Sequence, residues 1–153
     1  MAAINIGDRR VNAKIVYYGP GLSGKTTNLI NIHQRMPAGT RGALRSIETD
    51  AERTLFFDFV PVEPIRVGGW DVRFHLYSVP GQENYQRTRR AILGGADGIV
   101  FVADASEERL AANEASVDEL GEHLESYGHT FDDLPVVFQF NKTDLPDALS
   151  TDD

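Results

Sequence analysis

The 153-residue chain contains no cysteine. That excludes disulfides, thiol catalysis and cysteine-based zinc sites. It also lacks any run of basic residues. The formal net charge is -8, and the densest basic spots, Arg9-Arg10 and the trio Arg87, Arg89 and Arg90, are short. Wrapping nucleic acid or gripping an anionic lipid surface needs more positive charge than this, so no nucleic-acid partner is expected. No apolar stretch is long enough to span a membrane, and the first ten residues have no apolar core of the signal-peptide kind. The second residue is Ala2 rather than glycine, so N-terminal myristoylation is not expected, and Ser150-Thr151-Asp152-Asp153 is no prenylation box. The expectation is a soluble cytoplasmic protein without membrane insertion. His33, His75, His123 and His129 show no metal-ligand spacing and read as structural or surface residues. There are no internal repeats and no low-complexity segments. The length suits one domain with a substantial core.

What the chain does carry is Gly19-Pro20-Gly21-Leu22-Ser23-Gly24-Lys25-Thr26, which reads G-x-x-x-x-G-K-[ST], the pattern of a phosphate-binding loop. Its flanks give the pattern its context. Lys14-Ile15-Val16-Tyr17-Tyr18 is a β-branched and aromatic run suited to a buried strand. After the loop, Leu29, Ile32, His33 and Met36 recur at helical spacing until Pro37 stops the helix. The glycines allow backbone N–H groups to turn inward around phosphate oxygens, and the new helix adds its positive end. Gly19, Gly21, Leu22, Ser23, Gly24, Lys25, Thr26 and Thr27 are therefore candidate nucleotide contacts. Lys25 would reach the β- and γ-phosphates, and Thr26 would offer its hydroxyl to Mg²⁺.

The rest of the chain reads as alternating strands and helices. A hairpin over 4–18 turns around Gly7-Asp8. Residues 37–53 are polar and glycine-bearing with no clear period, a loop long enough to be functional. Residues 54–62 form a strand, Gly68-Gly69 a turn, and 70–79 a second strand that pairs with the first. A short helix over 86–93 ends at Gly94-Gly95. Residues 98–104 are a near-continuous apolar run, the mark of a strand buried on both faces. A long amphipathic helix covers 107–127, and 135–140 is the last strand. The expected fold class is α/β, a P-loop NTPase with a mostly parallel sheet, helices on both faces and one antiparallel hairpin. Ligands of such sheets bind at the carboxyl ends of the strands, where every candidate loop here lies.

Two of those loops carry further chemistry. Asn141-Lys142-Thr143-Asp144 reads N-K-x-D. The carboxylate of Asp144 can accept from both N1–H and the N2 amine of guanine, a pair that adenine does not offer. The stem of Lys142 can lie on the base, and Asn141 can tie this loop to the phosphate loop. Pro80-Gly81-Gln82 follows a strand end near the γ-phosphate. Gly81 frees a backbone N–H to sense that phosphate, and Gln82 would orient the attacking water, since neutral glutamine is a poor proton acceptor. Arg53 and Thr54 close the polar loop. Thr54 can complete the Mg²⁺ shell, and Arg53 is either an arginine finger supplied in the same chain or a solvated arginine.

Together these residues resemble the bacterial MglA family of Ras-like small GTPases, switches of gliding motility and cell polarity. The stretches that carry the resemblance are KIVYYGPGLSGKTTNL, RTLFFDFVP, FHLYSVPGQ, GADGIVFVAD and QFNKTDLP, which span residues 14–146. The resemblance implies a single GTPase domain over 1–153, GTP/GDP and Mg²⁺ binding, and slow intrinsic hydrolysis. It implies acceleration by a Roadblock-fold partner of the MglB type, effectors that read the GTP state, and recruitment to cell poles. It further implies that Arg53 and Gln82 are catalytic, positioned by a partner that inserts no arginine of its own. The first hairpin and the switch loop are expected to shift register between GDP and GTP states. Most Ras-like proteins have D-x-x-G where this chain has Ser78-Val79-Pro80-Gly81, as the MglA family does. Asp58 is a candidate substitute toward the metal through water. A further strand, a second base-binding loop and a last helix are expected of the superfamily and missing after N-K-x-D, which reads either as C-terminal truncation or as a naturally short protein, with a bared sheet edge. Two other classes are compatible with a phosphate loop: a catalytically weak nucleotide-dependent interaction module, and a P-loop kinase, which would need a lid that the sequence does not offer.

Overall fold

A computed structural model describes residues 2–48, 53–59, 65–81 and 83–150. The strands are β1 (Ala3–Asn5), β2 (Arg10–Tyr18), β3 (Arg45–Glu48), β4 (Arg53–Phe59), β5 (Arg66–Val67), β6 (Trp70–Ser78), β7 (Gly98–Asp104) and β8 (Val136–Asn141). The α-helices are α1 (Lys25–Arg35), α2 (Gln86–Leu93) and α3 (Leu110–Glu125). One sheet holds all the strands in the order β3-β4-β6-β2-β7-β8, with β1 beside β2 and β5 beside β6. The pairs β2–β6, β2–β7 and β7–β8 are parallel. Their shared direction puts Tyr18, Ser78, Asp104 and Asn141 at one edge, where the next loops begin. That edge is where an α/β sheet presents its ligand.

Consecutive residues of the central strands feed opposite faces, as a period of two requires. Tyr17 and Val102 pack with Leu29 of α1 and Leu76 on one face. Val16, Tyr18 and Phe101 pack with Leu93 of α2 and with Leu120 and Leu124 of α3 on the other. Helices therefore cover both faces. Leu29 is fully buried, so truncating it to alanine would cost about 2–5 kcal/mol. The α1 helix begins directly after Gly24, whose φ of 98° is left-handed, and ends where the Met36 N–H bonds the Ile32 carbonyl just before Pro37. Glycine alone enters that left-handed turn without strain.

Three readings need adjustment. Residues 37–53 are not a loop throughout: β3 lies within them and pairs antiparallel with β4, from Arg45 opposite Phe56 to Glu48 opposite Arg53. With only four residues and one apolar side chain, Arg45-Ser46-Ile47-Glu48 offers no alternation for a period-two reading to detect. The antiparallel part is also larger than one hairpin, since β1–β2, β3–β4, β4–β6 and β5–β6 all run antiparallel. The long helix begins as a 3-10 turn, Glu107–Arg109, before α3. At the far edge, β8 leaves Val137, Phe138 and Phe140 59, 48 and 50% exposed. Among the described residues no strand or helix follows it.

Candidate functional site

The phosphate-loop residues sit between the end of β2 and the start of α1. Ser23 and Lys25 are buried. The Lys25 ammonium donates to the Gly19 carbonyl at 2.9 Å and the Pro20 carbonyl at 2.6 Å, so the loop's own backbone holds its charge at the mouth of the helix. The loop is tight against its neighbours at Gly19 and Gly24. A β-carbon on Gly19 would stand 2.3 Å from the Val102 carbonyl oxygen, and one on Gly24 would stand 2.6 Å from Asn141 Nδ2. Leu22 takes a left-handed φ of 65° with its side chain pointing out, 82% exposed. The buried Ser23 hydroxyl has no hydrogen-bond partner among the described residues. Glycines without room for a β-carbon, an orphaned hydroxyl and a prepositioned ammonium fit the needs of an anionic phosphate chain. Thr26 is half-buried and Thr27 exposed in the first turn of α1.

The two other loops converge here. Asn141 Nδ2 donates to the Ser23 carbonyl at 2.8 Å, joining the N-K-x-D loop to the phosphate loop. Lys142 has a left-handed φ of 64°, and its ammonium reaches Asp104 Oδ2 at 2.5 Å. Asp144 is exposed. Gly81 lies against the phosphate loop so closely that an added β-carbon would meet Gly21 N at 2.4 Å and Gly21 Cα at 2.5 Å.

Arg53, Thr54 and Asp58 lie on β4, and only their backbone belongs to the description. Because β4 runs antiparallel to β6, Arg53 and Thr54 fall toward the edge that carries the phosphate loop. Asp58 falls the other way. It pairs with His75, which pairs with Lys14, four residues before Tyr18. At roughly 3.3 Å per residue, Asp58 stands about 13 Å down the strand from that edge, beyond a single water bridge in this register. Gln82 lies outside the described residues. Among the described residues no group of three histidine, cysteine or acidic side chains could hold a metal. Thr26 and Thr54 could offer hydroxyl oxygens to a magnesium ion, a hard cation that takes oxygen ligands.

Comparison with known proteins decides the family. The model of the ADP-ribosylation factor family matches residues 3–153. Mutual gliding-motility protein MglA of Myxococcus xanthus is 48% identical over 153 residues, all of this chain and 78% of its own length. The chain belongs to the MglA family of Ras-like small GTPases. More distant relatives agree. ADP-ribosylation factor-like protein 6 of Caenorhabditis elegans is 29% identical over 151 residues, 97% of this chain and 68% of its own. Human ADP-ribosylation factor-like protein 4D is 35% identical over 92 residues, 58% of this chain and 43% of its own. As a member of that family the chain binds GTP and GDP and hydrolyses GTP.

This MglA-family GTPase surrounds its loops with polar side chains that the sequence did not single out. Arg109 donates to the Gly21 carbonyl at 2.7 Å, bracing the phosphate loop from the turn before α3. Asp104 is buried at the end of β7. Its Oδ1 accepts from the Ser106 hydroxyl at 2.6 Å and the Ser106 N–H at 3.1 Å, while Oδ2 holds Lys142. Burial pushes the Asp104 carboxyl up, but the bonds from Lys142 and Ser106 outweigh it and leave the group below its ordinary value. Asn113 of α3 then fastens the Asp104 backbone in both directions, at 3.0 and 2.7 Å. A cavity of about 550 Å³ opens between the phosphate loop, Gly81 and α3, with Arg89, Arg109 and Glu119 in its wall. No helix among the described residues is long and apolar enough to cross a membrane.

Proposed function

We propose that this GTPase is a nucleotide-timed switch of the MglA kind, serving cell polarity or gliding motility, in which residues 19–27 hold the phosphates and residues 141–144 select guanine. The observation that carries the reading is the Asn141–Ser23 bond: it makes the base loop and the phosphate loop one rigid receptor. Lys25 places positive charge where negative charge accumulates during phosphoryl transfer. Gly81 lies on the phosphate loop, which suits a backbone N–H that answers to the γ-phosphate. Thr26 and Thr54 are the residues assigned to magnesium, which when bound would neutralise phosphate charge. Arg53 and Gln82 are assigned to hydrolysis, Arg53 for transition-state charge and Gln82 for orienting water. Asp58, in the register described, would need β4 to slide before it could take part.

Hydrolysis by such a switch is slow when its catalytic side chains are unconstrained, so a regulator is required. The chemistry of the partner follows the family: a Roadblock-fold protein of the MglB type that orders Arg53 and Gln82 without adding an arginine. The GTP form would present residues 37–54 and 80–86 to effectors, with recruitment to cell poles as the outcome. The test is single-turnover hydrolysis of preloaded GTP with and without a Roadblock-fold partner. Partner stimulation should appear in the parent and vanish in Gln82→Ala, with GTP affinity retained. A preference for ATP over GTP in competition, or stimulation that survives Gln82→Ala, would overturn it.

A further inference from the structure

The buried Arg89 is not needed for any role assigned so far. Its guanidinium forks onto Glu119 of α3, Nε to Oε2 at 2.7 Å and one terminal nitrogen to Oε1 at 2.6 Å. An ion pair that only joined α2 to α3 would be complete at that point. The remaining nitrogen of Arg89 instead donates to the Pro80 carbonyl at 3.1 Å, one residue before Gly81. The carboxylate is shared in the other direction as well, since the Tyr18 hydroxyl donates to Glu119 Oε2 at 2.7 Å. Tyr18 is the residue before Gly19. One half-buried carboxylate thus anchors the residue entering the phosphate loop and, through Arg89, the peptide entering the Gly81 loop.

We propose that Arg89, fixed by Glu119, is a positioning residue for GTP hydrolysis: it holds the Pro80 carbonyl and so keeps the Gly81 backbone seated on Gly21. The reasoning is geometric. Gly81 lies so close to the phosphate-loop backbone that no β-carbon would fit between it and Gly21, and such a seat is kept only if the preceding peptide is held. A forked guanidinium can satisfy a carboxylate and still spare a donor for a carbonyl, which a lysine ammonium does with poorer geometry. The inference rests on the switch reading for its consequence in hydrolysis, but not for the clamp itself.

The experiment compares the parent with Arg89→Lys, Glu119→Gln and the double variant Arg89→Leu/Glu119→Leu. The apolar pair replaces a largely buried ion pair by packed side chains and is expected to fold. Three readouts are taken with GTP and magnesium: single-turnover hydrolysis, release of labelled GDP, and amide hydrogen exchange over a peptide spanning residues 78–81. The expected result for each folded variant is hydrolysis slower by about tenfold or more with GDP release within about threefold of the parent. Faster exchange at residues 78–81 should accompany it. Parental hydrolysis and parental exchange in the folded double variant would overturn the proposal. So would a loss of GDP retention in proportion to hydrolysis, the sign of general damage. If the leucine pair does not fold, the two conservative variants decide by the same readouts. A parent that fails to hydrolyse GTP would count against the switch reading, while exchange alone would still decide the clamp.

Discussion

Alanine at Gly81 is the sharpest perturbation this fold offers. The torsions of Gly81 are not left-handed, so nothing in its own backbone forbids a side chain. The obstacle is outside. A β-carbon would stand 2.4 Å from Gly21 N, 2.5 Å from Gly21 Cα and 2.7 Å from the Pro20 carbonyl carbon, whereas ordinary contact begins near 3.4 Å. All three neighbours are backbone, and Gly21 is itself braced by Arg109. The Gly81 loop must therefore retreat by about 1 Å. A displacement of that size in a reacting geometry costs about a hundredfold in rate, or about 2.7 kcal/mol of barrier. Neither the Lys25 clamp nor the Asn141 bond involves Gly81, so GDP retention should stay within about threefold of the parent. Single-turnover hydrolysis of preloaded GTP measures the first number and displacement of labelled GDP the second. A Gly81→Ala protein that hydrolyses GTP at the parental rate would refute the claim that this glycine is required by contact.

Other substitutions test the base loop and its supports. Asn141→Ala removes the 2.8 Å bond to Ser23 and should cost about 1 kcal/mol of stability, with GDP release faster by about fivefold; unchanged release would show that the two loops are not coupled. Asp104→Asn leaves Lys142 without its ionic partner. Because the Lys142 side chain is 37% exposed, solvent screens the pair, and the loss in chemical denaturation should be about 1–2 kcal/mol rather than that of a sealed ion pair. The pH dependence of stability should report His123, which bonds the Tyr18 hydroxyl at 3.1 Å beside Glu119. Burial pushes its pKa below the ordinary value despite the neighbouring Glu119 charge. The unfolded chain then binds more protons than the folded one, so stability is complete above about pH 6.5 and declines as the pH falls toward the lowered folded value. Urea titrations at descending pH should show that decline in the parent and a flatter profile in His123→Gln.

The parts legible in the sequence are those written in one contiguous stretch. The phosphate loop announces itself because its strand, glycines and helix adjoin. The bounds of α2 and β7 follow from Gly94-Gly95 and from an unbroken apolar run. What stayed hidden depends on partners far apart in the chain. Arg89 sits in a short basic trio, and nothing local shows that it is buried against Glu119, thirty positions on. Tyr18 reads as strand packing, and nothing local reveals that its hydroxyl meets α3. Arg109 looks like one more charge at a helix start until the topology brings the turn before α3 to Gly21. His123 reads as structural or surface, and the structure buries it. Periodicity reports which face of an element is apolar; it carries no information about which distant polar group a buried polar side chain will meet.

The left-handed turn at Leu22 has a bearing on kinetics. A leucine in that conformation is uphill by about 1–2 kcal/mol and persists only because its surroundings dictate it. Those surroundings are the chain's own groups: Lys25 on two carbonyls, Arg109 on a third and Asn141 on a fourth. The cradle is thus held by the chain's own contacts, so capture should demand little rearrangement. Differences in affinity among variants of this loop should then surface chiefly as differences in residence time.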